Sequence, residues 1–298
     1  MKVLQLFFVT LSVFACSALH SSEPSSPAFW EVTKGKSTVY LMGSMHSGRP
    51  DFYPLPKEIE TAFSSSEKLV VEVDITRLDP AASMQAVYKY AAMPAGKSLS
   101  SALSPELGAL LEKHCKQHQV PCSAFEAFQP WFVAMQLVEA ELKKTDFKPT
   151  LGIDWYFLGR ARAVQDIDEL ETLDSQMKLF SQFSVEEQAL FLKQTLLDLK
   201  ESQSFLNEMA ENWRRGNAAA LEEQLLEPFR EQKETKALFE ALFTTRNQSM
   251  ALAVERYLLG DEDVFFVVGA GHMVGKQGIV DLLTNKGYKV NRVSFGQL

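Results

Sequence analysis

The run Val264-Phe-Phe-Val-Val268 limits the possible folds more than any other stretch of this chain. Five consecutive β-branched or aromatic residues, stopped at once by Gly269, predict a short strand buried on both faces. Such a strand belongs to a sheet covered by helices on each side, which is the arrangement of α/β proteins. Near the other end of the chain, Ser37 to Met42 reads as a second strand and stops at Gly43. Each strand is followed by the same unit: Gly43-Ser-Met-His46 and Gly269-Ala-Gly-His272. Loops at the carboxyl ends of strands form the crevice of an open α/β sheet. A glycine there permits a sharp turn, because it has no Cβ to clash at positive φ. Two strand–Gly-x-x-His units on neighbouring strands would bring His46 and His272 to one crevice.

The remaining pattern fits one domain with a central mixed β-sheet, flanking helices and a helical insertion. Ala28 to Thr33 reads as a strand joined to Ser37–Met42 through a Lys34-Gly35-Lys36 hairpin. Lys57 to Phe63 reads as a short helix and Lys68 to Val73 as a strand. Ser104-Pro105-Glu106 starts a helix running to about His118, and Pro130-Trp131 starts another through Leu142. Ser184 with Glu187 forms a capping box. Behind it Val185, Ala189, Leu192, Leu196 and Leu199 make one apolar helix face. Val164 to Glu171 reads as a short strand, Leu221 to Leu226 and Thr235 to Leu259 as helical. Lys276 to Thr284 reads as a helix that stops at Asn285-Lys-Gly287, and Tyr288 to Phe295 as a last strand.

Glu72 sits inside Leu69-Val-Val-Glu-Val73. A carboxylate in an apolar strand is costly to bury without a partner. Either it faces water from an edge strand, or a metal ion or a protonated histidine receives it; the flanking valines favour the second reading. Two histidines and a carboxylate suffice for a catalytic divalent metal with an open water position. The same groups also allow a metal-free route, in which a Glu-assisted histidine acts on water as general base. These residues alone leave both routes open.

Other candidates carry less. His114 and His118 stand four apart on a helix, but Cys115-Lys-Gln117 between them lacks a metalloprotease glutamate, so solvated side chains are expected. Gly269-Ala-Gly271 lacks the following acidic residue of a dinucleotide fold. Ser44 lacks a Gly-x-Ser-x-Gly elbow. Trp131 with Phe125 and Phe128 reads as core. Cys115 and Cys122 either pair as a local disulfide, the favoured reading, or remain free thiols.

Residues 1–18 read as a signal peptide: Lys2, an apolar run from Leu4 to Ala15 too short to span a bilayer, then small Cys16-Ser17-Ala18. Residues 19–27, which include His20, read as a disordered Ser/Pro-rich linker, and 28–298 as the folded domain. An exported protein is expected, periplasmic or secreted. Val13-Phe-Ala-Cys16 also loosely matches a lipobox, with Cys16 as the lipid anchor, though cleavage after Ala18 is favoured. No transmembrane span is expected. The net charge of −8 and the absence of any long Lys/Arg run exclude nucleic acid as a partner.

Leu41-Met-Gly-Ser-Met-His46, Tyr53-Pro-Leu-Pro56 and Leu69-Val-Val-Glu-Val-Asp74 resemble the start of TraB/GumN family proteins. The resemblance continues through Phe128-Gln-Pro-Trp131, Leu151-Gly-Ile-Asp154, Leu170-Glu-Thr-Leu173 and Arg246-Asn247, and closes with Val268-Gly-Ala-Gly-His-Met-Val-Gly275. The family is similar to the Tiki metal-dependent proteases and, more widely, to erythromycin esterases, which act on water with a histidine and a glutamate. By this resemblance His46, Glu72 and His272 are the metal or catalytic set, with Mn, Co or Zn as the candidate divalent ion. Glu171 and Asp154 match family positions as second-rank site residues. Arg246 falls where these families place a basic residue. It would hold an oxyanion or a substrate carboxylate, or else form a salt bridge to Glu171 or Asp154. The resemblance implies hydrolysis of a peptide bond, the substrate being a peptide or small molecule. The rivals are a metal-independent esterase and a non-enzymatic periplasmic protein that binds metal, haem or a peptide.

Overall fold

The structure, a computed structural model, describes residues 26–161, 165–199, 202–230 and 235–295. The expected leader, Cys16, His20 and Val164 lie outside these residues. Among the described residues no helix is long and apolar enough to cross a membrane.

Six strands form one mixed sheet: β1 (Phe29–Lys34), β2 (Ser37–Ser44), β3 (Lys68–Val71), β4 (Asp166–Glu169), β5 (Val264–Gly269) and β6 (Val290–Arg292). Their spatial order is β4-β3-β5-β2-β1-β6. The four strands from β4 to β2 run parallel, while β1 is antiparallel to both its neighbours. The chain is therefore α/β, as the apolar run implies. β5 is buried at every residue, and burying a side chain such as Val267 stabilises the fold by roughly 1.5–3 kcal/mol. The β1–β2 hairpin turns at Gly35, whose φ of +65° suits a residue without Cβ.

Helices Lys57–Ser65, Ile153–Ala161, Thr245–Tyr257 and Ile279–Asn285 pack their buried residues against the sheet. The helical insertion arrives in two parts. Pro80–Ala91, Pro105–His118 and Pro130–Leu142 lie between β3 and β4; Leu173–Ser181, Val185–Asp198, Ser202–Arg214 and Ala218–Arg230 lie between β4 and β5. Leu107, Leu111, Val133, Leu137, Leu192 and Leu196 form a separate all-helical core in it, while Trp213 and Leu221 join the core of the sheet. Its caps follow the sequence: Ser104 Oγ accepts from Leu107 N, and Ser184 and Glu187 cap reciprocally. Cys115 and Cys122 are disulfide-bonded.

Several boundaries differ from the sequence reading. β3 stops at Val71, so Glu72 lies just beyond the strand. β4, not β3, is the edge strand, so Glu72 does not face water from an edge. The helix expected from Lys276 begins at Ile279, because Gly275 turns the chain at φ +83°. β6 covers only Val290–Arg292, the residues that find partners on β1. Val185 is exposed rather than part of the buried helix face.

Candidate active site

Parallel pairing sets the site. Ser44 of β2 stands opposite Gly269 of β5, and Val71 of β3 opposite Val267, so three strands end together at one sheet edge. His46 follows β2 by two residues and Glu72 follows β3 directly. His272 sits in the short helix Ala270–Met273 after β5, rather than in an open loop. All three side chains converge on Gly269. A Cβ there would lie 3.3 Å from His46 Nε2, 3.4 Å from Glu72 Oε1 and 3.6 Å from His272 Cδ2.

That contact corrects the reason for the glycines. Gly269 has φ −50°, and neither it nor Gly43 has positive φ. Both are needed for space: a Cβ on Gly43 would press to 3.2 Å of Ala270 Cα.

Each imidazole is oriented through Nδ1. His46 Nδ1 lies 2.9 Å from Asp154 Oδ2, which also accepts from the Ser44 hydroxyl. Asp154 is held there because the first residue of its helix, Ile153, donates its backbone N–H to Met45 O at 3.0 Å. The Asp154 carboxylate at Nδ1 lifts the His46 pKa to about 9. The His46 side chain is 66% exposed, and it lines a cavity. His272 is only 5% exposed. Its Nδ1 lies 2.5 Å from Asn247 Oδ1, while Asn247 Nδ2 donates to Gln277 O. The asparagine thus accepts the Nδ1 proton and leaves the lone pair on Nε2, 3.8 Å from Glu72 Oε1. Burial pushes the His272 pKa down to about 4, with Glu72 pulling the other way.

Glu72 is fully engaged. Oε1 accepts from Gly269 N at 2.7 Å and Oε2 from Arg246 Nη2 at 2.6 Å. Burial alone would raise its pKa; His272, His46, Arg246 and the Gly269 amide outweigh it and lower it to about 2. Arg246 grips Glu171 through Nε and Nη2, each at 2.7 Å, and reaches Leu242 O through Nη1. Of the two salt bridges weighed for Arg246, the one to Glu171 forms; Asp154 pairs with His46 instead. Arg246 is the second residue of the helix that directly follows a π-helical turn, Glu240–Thr244, a feature frequent at functional sites. Gln176 Nε2 completes the network with a bond to Glu171 Oε2.

The donor types suit a divalent metal: two imidazoles anchored at Nδ1 with Nε2 turned inward, and one carboxylate. The arrangement does not close a ligand shell. Both Glu72 oxygens are held by N–H donors, and the Arg246 charge stands beside them. Among the described residues no group of three or more His, Cys, Asp or Glu is spaced to hold a metal ion.

Asn247 and Gln176 escape the sequence reading as site residues. For Asn247 a signal existed, since it lies on the same helix face as buried Met250, Ala251 and Val254. His114 and His118 stack at 4.3 Å on the helical insertion, with His118 Nδ1 2.6 Å from Lys144 Nζ, and take no part in the site.

The TraB/PrgY/gumN family model matches residues 28–292. The chain is 24% identical over 273 residues to the uncharacterized protein YbaP of Escherichia coli K12, covering 90% of this chain and 96% of that protein. YbaP of Shigella flexneri matches to the same extent. The metalloprotease TIKI2 of Xenopus tropicalis is 24% identical over 334 residues, covering 95% of this chain and 62% of TIKI2. No solved structure matches.

Proposed function

Because this chain belongs to the TraB/PrgY/gumN family, we propose that it is a hydrolase acting on carbonyl substrates, the peptide bond first among them. The observation that carries the proposal is the meeting of His46 Nε2, Glu72 Oε1 and His272 around the vacant Cβ position of Gly269, beside an open cavity. The similarity to a metalloprotease supports the choice of bond.

Hydrolysis joins a water oxygen to the carbonyl carbon, breaks the C–N or C–O bond, and delivers a proton to the leaving atom. Environments that drive two titratable groups apart mark an acid and a base. His272, neutral at pH 7, accepts the water proton at Nε2. Glu72, held by Gly269 N and Arg246, offsets the imidazolium that forms. His46, charged at pH 7, donates first a hydrogen bond to the carbonyl oxygen and then its Nε2 proton to the leaving group. Arg246 and Glu171 hold Glu72 in place. His46, His272 and Glu72 are also the residues that would hold a divalent metal, whose chemistry there is Lewis-acid activation. The engagement of both Glu72 oxygens favours the metal-free route that these steps follow, and metal-assisted hydrolysis is the second reading. The Cys115–Cys122 bond supports an oxidising, extracytoplasmic setting.

The test is turnover of quenched peptide and p-nitrophenyl ester libraries, with chelator and with added Mn, Co or Zn. Turnover that His46→Ala and His272→Ala abolish supports the reading. Absence of turnover with every metal, or full activity in either variant, overturns it.

A further inference from the structure

The cavity over the three residues has a composition that the hydrolytic reading does not use. It holds about 580 Å³, within the range of small-molecule sites. Its polar reacting groups, His46, Glu72, Arg246 and His272, gather at the sheet edge. The walls beyond are apolar: Phe205, Leu206, Met209, Leu225 and Phe243 line it from helices and Phe147 from the segment after Pro130–Leu142. An extended peptide brings a backbone donor and acceptor at every residue, and each costs free energy when buried without a partner. These walls offer few partners. An alkyl chain needs none.

Charge decides the character of the head group. Around the reacting groups stand Glu72, Asp154 and Glu171 against Arg246 and His46, and the insertion helices add Glu141 and Asp198 to the lining. Among the described residues that line the cavity, the cations His46 and Arg246 each face a carboxylate, so a free anion is disfavoured there.

We infer that the acyl half of the substrate is a long apolar chain, carried as a neutral ester or amide, which lies along the Phe147–Phe205–Leu206–Met209–Leu225–Phe243 wall with its carbonyl at His46 and His272. This rests on the hydrolase reading for the carbonyl bond that breaks, and it moves the preferred substrate from a peptide to an alkyl-chain ester or amide. Water adds to the acyl carbon, the bond to the alcohol or amine breaks, and the products are a carboxylic acid and that alcohol or amine. The acid ionises on release, and the surrounding carboxylates expel it.

Binding of non-hydrolysable alkyl methyl ketones by calorimetry tests the pocket apart from turnover. Affinity should rise about fourfold per added methylene and then level off as the cavity fills. The fatty acid of equal length should bind more weakly. Leu206→Trp should shorten the chain at which affinity levels off, and Met209→Ala should lengthen it, both with a cooperative melt retained. In parallel, kcat/KM for p-nitrophenyl esters should climb from acetyl to octanoyl. Ketone affinity that ignores chain length, or plateaus that neither variant moves, overturns the inference even if esters are hydrolysed. Chain-dependent ketone binding without turnover of any ester or amide leaves the pocket assignment standing and removes the hydrolase reading alone.

Discussion

The two Gly-x-x-His segments leave adjacent parallel strands at the same level, Ser44 beside Gly269, yet their imidazoles end in opposite settings. After β2, His46 meets an acidic side chain, Asp154, and opens to the cavity. After β5, His272 meets a neutral partner, Asn247, inside the protein. One pKa rises to about 9 and the other falls to about 4. Equal motifs therefore do not make equal residues: the neighbour at Nδ1 and the degree of burial assign the acid and the base.

The largest effect expected from breaking this pair is on turnover. His46→Ala and His272→Ala should each lower kcat/KM by ~10²–10⁴-fold. Their stabilities should diverge. His46→Ala removes a largely exposed side chain whose pairing with Asp154 is screened by solvent, and should lower the melt less than His272→Ala. His272→Ala leaves buried Asn247 Oδ1 unsatisfied and should cost about 1–3 kcal/mol in chemical denaturation. Equal destabilisation by both would contradict the difference in burial.

Exchanging the Nδ1 partners comes next. Asn247→Ala should reduce activity about 10–100-fold through loss of imidazole orientation. Asp154→Asn should bring the His46 pKa down towards its ordinary value and move the alkaline limb of the pH–rate profile lower. An unmoved limb would remove His46 from the acid role.

Smaller still is the contrast between the motif glycines. Gly43→Ala presses on backbone at Ala270 and should cost about 1–3 kcal/mol by overpacking. Gly269→Ala presses on the three reacting side chains and should reduce activity more than stability. Thermal melts and kcat measured on both variants separate the outcomes.

How much of this was legible in the sequence follows from locality. β2, β5 and the helices from Pro105 and Pro130 are written in apolar runs and capping residues, and they appear where those signals put them. The same kind of signal at Asp79-Pro80 marks a helix that the reading passed over, where Asp79 caps Ala81 N. The neighbouring positions of His46 and His272 could be anticipated because the sheet joins strands from opposite ends of the chain. The partner of each residue could not. Asp154 reaches His46 only because its helix docks on Met45 O, and Arg246 reaches Glu72 and Glu171 only after a π-helical turn. Those are tertiary contacts with no local periodicity behind them.

The mildest consequence concerns stability against pH. His46 binds its proton more tightly folded than unfolded, so its contribution is full below pH 6.5 and is lost as pH rises towards 9. His272 binds its proton less tightly, so its contribution is full above pH 6.5 and is lost as pH falls towards 4. Their summed contribution peaks near pH 6.5. His46→Ala should flatten the alkaline limb of the melting profile and His272→Ala the acid limb.

The most direct measurement is an NMR titration of the two imidazoles, with ¹⁵N labelling, in the wild type and in Glu72→Gln. One ring should titrate well above pH 6.5 and the other well below it. Both should shift downward when the Glu72 charge is removed, because that carboxylate raises the pKa of each ring. Two rings titrating together near pH 6.5, or a pair indifferent to Glu72, would contradict a shared site.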